Sequence, residues 1–107
     1  GDGLESHHMP PDSVSPVSTN KGSAIQMDPA DHAATSSHGS QGAAGAEYRK
    51  QIGEMVNSGD AQKVRNAYAT EVKDVRRAAG EVSGDATKYN KAMQQMLEDA
   101  KKRKLLQ

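Results

Sequence analysis

Near residue 43 the chain changes texture, and that break limits what it can fold into. Residues 1–42 are crowded with Pro, Ser, Gly and Asp, a composition that taken alone would pass for disorder. Residues 43–107 carry apolar side chains at helical spacing instead. Tyr48, Ile52, Met55 and Val56 form one stripe that stops at Asn57-Ser58-Gly59. Asp60 reads as the cap of a second helix, in which Val64, Ala67, Tyr68, Val72 and Val75 continue the period to Gly80. After a Ser83-Gly84-Asp85 loop, Tyr89, Met93, Met96, Leu97 and Ala100 mark a third helix, ending in Lys101-Lys102-Arg103-Lys104. The Met and Tyr stripes read as core.

A length of 107 residues fits one small domain. Its core must be thin, because the apolar fraction is 34% and there are three tyrosines but no Phe or Trp. Domains of this size are often marginal, so a metal or a partner is expected to add stability. Cysteine is absent, which excludes disulfides and thiolate metal sites. Any metal ligands must then be His, Asp, Glu, Asn, backbone oxygens or water. No apolar run approaches the roughly 20 residues of a membrane helix, so no membrane partner is expected. The start, GDGLESHHMPP, lacks the basic and apolar stretches of a signal peptide. It reads as a piece of a longer protein whose delivery region lies elsewhere.

The net charge of zero conceals an asymmetry. Residues 1–46 hold five acids against Lys21 alone, while residues 47–107 hold nine acids and thirteen bases. An acidic segment beside a basic one suits a cation next to a phosphate-binding face, although charged helices also simply solvate their outer sides.

Within the front segment two stretches resist the disordered reading. Leu4 to Met9 is extended and ends at Pro10-Pro11; Ser23 to Met27 is a short strand candidate between Asn20-Lys21-Gly22 and Asp28-Pro29. Asp28 then reads as an N-cap, Pro29 as the first helical residue and Asp31 as a first-turn acid. That helix is expected to run to about Ser37 and stop near Gly39. The fold class is therefore α+β: strand, loop, strand and short helix over residues 1–42, then about three helices over 43–107 packed on the same domain.

All four histidines fall in the first 38 residues: His7, His8, His32 and His38. Hydrolysing a phosphodiester at neutral pH needs a base to activate water and a cation to stabilise the growing charge. On an extended segment His7 and His8 point to opposite sides, so one ring can ligate a metal while the other faces water. His32, on the following helix, can close the site. An isolated histidine pair carries little weight, and His32 alone could equally be a satisfied helix histidine. His38 lies six residues after His32, a poor spacing for a shared helical face, whereas Ser36 shares that face and can orient water or phosphate.

SHHMP, a loop, and then GSAIQMDPADHAATSSHG resemble the HNH, or ββα-metal, nucleases. The likeness is closest to the toxin domains of bacterial polymorphic toxins with SHH, GHH or AHH signatures, and is similar to that of colicin DNases. It covers residues 5–40. YRKQIGEMV, EVKDVRRAAG and KYNKAMQQML are similar to tails of such domains, with less specificity. The resemblance implies His7 as a metal ligand, His8 as general base and His32 as a second ligand, with Asn20 as the loop residue that orients the base. Where colicin-type sites place a further His, this chain has Ser36. The metal would then be held by two histidines, water and substrate, or with help from His38 or Asp28.

Mg²⁺ or Mn²⁺ is expected to support activity, and Zn²⁺ or Ni²⁺ to bind imidazole more tightly. Lys21, Arg49, Lys50, Arg76 and Arg77 are the phosphate-binding candidates, and phosphate contacts carry little sequence information. The expected function is a weakly specific DNA endonuclease toxin, secreted or injected into a competitor's cytoplasm and neutralised in the producer by an immunity protein. An RNase of the same fold and a non-catalytic, metal-stabilised helical module are the alternatives.

Overall fold

A computed structural model describes residues 3–18 and 21–107. Two four-residue strands, β1 (Glu5–His8) and β2 (Ala24–Met27), pair antiparallel with Glu5 opposite Met27 and His7 opposite Ile25. Opposed residues share a face of the sheet. One face therefore carries Glu5, His7, Ile25 and Met27, and the other carries Ser6, His8, Ala24 and Gln26. Gln26 donates to Ser6 Oγ across the outer face at 2.8 Å, and the Met9 amide extends the ladder to the Ser23 carbonyl. A 3-10 turn over Asp12–Val14 lies in the connection between the strands.

Helix α1 (Pro29–Ala33) follows β2 with proline in its first turn. It stops four residues short of the expected Ser37. The amides of Ala34 and Thr35 tighten to three-residue bonds onto Asp31 and His32, and Thr35 Oγ1 donates to the His32 carbonyl. The next amide, Ser36, leaves the backbone ladder and donates to the Asp74 carboxylate at 2.8 Å. A second 3-10 turn, Gly39–Gln41, leads into α2 (Gly42–Val56). Helix α3 (Ala61–Ser83) begins where Asp60 accepts from the Gln62 and Lys63 amides, as its position predicts. It runs three residues past Gly80 and ends on left-handed Gly84, φ 74°, a conformation glycine adopts without Cβ strain. Helix α4 (Asn90–Lys102) completes the chain.

The core draws on both sides of the texture break. Met9, Ile25 and Met27 meet Tyr68, Val75 and Ala79 of α3, and Tyr89, Met93, Met96 and Ala100 at the start of and along α4. With few large side chains available, flexible methionines fill the space between sheet and helices. Fully burying each contributes about 1.5–3 kcal/mol.

A polar pin reinforces this packing. Asp31 is fully buried and accepts from Ser83 Oγ (2.7 Å), Lys88 Nζ (2.8 Å) and the Tyr89 hydroxyl (2.5 Å). Burial alone would raise its carboxyl, but the hydrogen bonds from Lys88, Ser83 and Tyr89 outweigh that and hold it below the ordinary carboxylate range. Its contribution is present above the ordinary carboxylate pKa and is lost as pH falls through the lowered one. Asp31→Ala should cost about 3 kcal/mol, read as an earlier urea midpoint at neutral pH.

Candidate metal and catalytic site

The pleat of β1 and the early end of α1 bring the histidines together. Glu5 and His7 lie two residues apart on one side of β1, and α1 carries His32 against both. The His32 ring stands edge-on to His7, with centroids 5.2 Å apart, and its Nδ1 lies 2.8 Å from Glu5 Oε1. Because the chain turns after Ala33, His38 folds back, and its ring centroid is 4.7 Å from that of His32. His32 is thus the middle of three imidazoles. Its helical spacing from His38 is poor, but the turn brings them together where a continued helix would not.

One ligand atom from each of Glu5, His32 and His38 lies within 4.8 Å of the others. Three ligands each about 2.1 Å from one ion stand about 3.0–3.6 Å apart in octahedral to trigonal arrangements, so a cation would have to draw this group inward. The donor chemistry fits. Glu5 Oε1 lies 2.8 Å from His32 Nδ1, so a cation held by both would take the place of the proton they share, as metal binding at deprotonated ligands requires. With Nδ1–H of His38 donating to Ser40 Oγ at 2.8 Å, which itself donates to the Ala33 carbonyl, His38 Nε2 keeps its lone pair. The opposite tautomer accepts the Ser40 amide at 3.1 Å, and a cation would select against it.

His7, His32 and His38 border a cleft of about 320 Å³ that is also lined by His8, Asp12, Ser37 and Arg49. His7 is 3% exposed. Burial, then the neighbouring His32, lowers its pKa to about 4, partly offset by Asp74, so its ring stays neutral at physiological pH. His8, on the opposite side of β1, is only half-buried and opens to the cleft.

Helix α3 forms the platform. Asp74 takes both the amide and the hydroxyl of Ser36, at 2.8 and 2.5 Å. Arg77 binds Asp74 at 3.0 Å and the Ala34 carbonyl at 2.8 Å. Together they clamp the turn that carries His38, and Arg49 secures its far side by donating to the Ser37 carbonyl at 2.8 Å. Deeper in, Glu71 is 2% exposed; one oxygen accepts from the Tyr48 hydroxyl while Oε2 has no partner among the described residues. Burial drives the Glu71 carboxyl up to about 8, and burial with the adjacent Glu71 raises the Tyr48 hydroxyl above its ordinary value.

The structure places the remaining candidates elsewhere. Ser36 faces Asp74, and the neighbouring Ser37 lines the cleft. Asp28 pairs with Lys88 at 2.6 Å. Arg76 donates to Asn90 and Arg77 belongs to the clamp, while the Lys21 carbonyl accepts from Arg103. Of the cationic candidates, Arg49 borders the cleft and Lys50 sits beside it on α2. Asn20 lies outside the described residues. Glu5, Asp74 and Arg77 were not singled out from the sequence as supports of the histidines. For Glu5 the signal was there, two residues before His7 on an extended segment; for a pair 36 or more residues away on another helix, none exists. No family model, curated protein or solved structure matches the chain.

Proposed function

We propose that this chain is a metal-dependent endonuclease that cuts DNA with little sequence preference. The observation that carries this reading is the convergence of Glu5, His32 and His38 donor atoms within 4.8 Å beside the cleft that holds His8 and Arg49. A divalent cation held by those three, with Mg²⁺ or Mn²⁺ as the working ions, would stabilise charge on the phosphoryl oxygens and the departing 3′-oxygen. His8 takes a proton from the attacking water; a new P–O bond forms as the bond to the 3′-oxygen breaks. His7, neutral and buried, holds the His32 ring edge-on. Arg49 supplies positive charge at the wall for the strand's phosphates. The likeness of SHHMP and GSAIQMDPADHAATSSHG to ββα-metal toxin domains supports the further reading of an antibacterial effector, carried by an N-terminal delivery region into a target cell's cytoplasm and silenced in the producer by an immunity protein.

Plasmid nicking with Mg²⁺ or Mn²⁺, with and without EDTA, tests the activity, and a parallel assay on single-stranded RNA separates DNase from RNase. Cleavage that EDTA leaves untouched would overturn the metal-dependent mechanism. Metal binding is tested separately by melting. At 100 times its Kd, Mn²⁺ or Zn²⁺ should stabilise wild type by about 2.7 kcal/mol and leave His32→Ala unmoved. Equal shifts in both proteins would move the metal away from His32.

A further inference from the structure

A second cavity, of about 660 Å³, adjoins the histidine cleft and shares Ser13 and Arg49 with it. One wall is the face of α2 that carries Ala46, Arg49, Lys50 and Gly53 at helical spacing; the other is the turn around Val14. Small residues open it. A Cβ at Gly53 would stand 2.8 Å from the Val14 side chain, so the turn packs directly on the helix backbone and makes a shallow apolar floor. The charges are graded. Arg49 stands at the end shared with the cleft, Lys50 follows it on the helix, and Glu54 lies about 7.5 Å beyond Arg49 along the helix axis. No ion pair engages Lys50 or Glu54 among the described residues.

We infer that this groove binds the single nucleotide flanking the scissile phosphate, an inference that rests on the nuclease reading. Arg49 at the shared end and Lys50 next to it take the phosphate, and the Val14 and Gly53 floor receives the base. A base presents an apolar face that can lie on such a floor whatever its identity. Glu54 repels the next phosphate, so the track holds one nucleotide and not a longer strand. The volume suits this occupant, being within the range of small-ligand sites.

Ala46 is an exposed helical position, so Ala46→Leu can fill the groove without breaking α2. Hydrolysis of an eight-nucleotide single strand is compared with that of bis(p-nitrophenyl) phosphate, which has no nucleotide to place there. The ratio of the two kcat/KM values should fall about tenfold in Ala46→Leu. Fluorescence anisotropy of a labelled eight-mer in EDTA should show about tenfold weaker binding, and Lys50→Glu should also weaken it. An unchanged ratio with unchanged binding overturns the groove while leaving the nuclease intact. If wild type hydrolyses neither compound, the nuclease reading fails, and the EDTA binding arm still decides the groove: no binding, or equal binding by Ala46→Leu, rejects it.

Discussion

Replacing His8 with alanine should lower metal-dependent cleavage by about 10²–10⁴-fold, the usual contribution of a positioned general base, with little change in melting temperature. His8 lies on the face of β1 turned away from Ile25 and Met27, and no hydrogen bond among the described residues uses its ring. Removing it therefore takes away the proposed base without disturbing packing. His7→Ala should behave in the opposite way, because its ring is buried against His32: the melt falls, and activity follows the lost structure. Adding imidazole to His8→Ala and recovering part of the rate would mark the lost group as a proton acceptor. Wild-type, EDTA-sensitive cleavage by His8→Ala would place the base elsewhere.

Glu71→Gln should make the protein more stable above pH 8 by on the order of 4 kcal/mol, a rise of roughly 15 °C or more in melting temperature. In the fold the Glu71 carboxyl titrates near 8, against 4.5 in its ordinary state, chiefly because it is buried. Between these values the unfolded chain releases a proton that the native chain keeps, so stability falls as pH rises. The contribution is fully present below pH 4.5 and is lost as pH passes through about 8. Glutamine keeps an oxygen for the Tyr48 hydroxyl and cannot ionise. Wild type and variant should thus have nearly equal melts at pH 4.5 and diverge steadily above it. Parallel melting curves from pH 4.5 to 9 would show that Glu71 does not titrate in this window.

The helices were readable because their stripes are long and regular. Tyr68, Val75, Met93 and Met96 point into the core as their spacing requires, and Asp60 caps where it should. The strands were readable from their boundaries, since Ile25 and Met27 alternate with exposed Ala24 and Gln26. The end of α1 was not readable, because what stops it is Asp74, distant in sequence and capturing the Ser36 amide. The same blind spot hid His38. Its neighbourhood follows from a tertiary clamp, and helical spacing measured along an uninterrupted helix pointed away from it. Asp31 could be recognised as a first-turn acid, but its burial under Lys88 and Tyr89 depends on residues more than fifty positions later.

The pairing of β1 with β2 has an implication for how such a chain can change. Which imidazole of the pair faces the cluster and which faces water is fixed by the partner strand, where Ile25 and Met27 seek cover. Inserting a single residue between Ser6 and His7 would keep both histidines and every loop intact. It would nonetheless move His7 to the outer face and His8 to the inner one, exchanging their roles. A two-residue insertion restores the alternation. Variation in this strand should therefore be tolerated in even steps, giving the region a parity rule that a count of its histidines would never reveal.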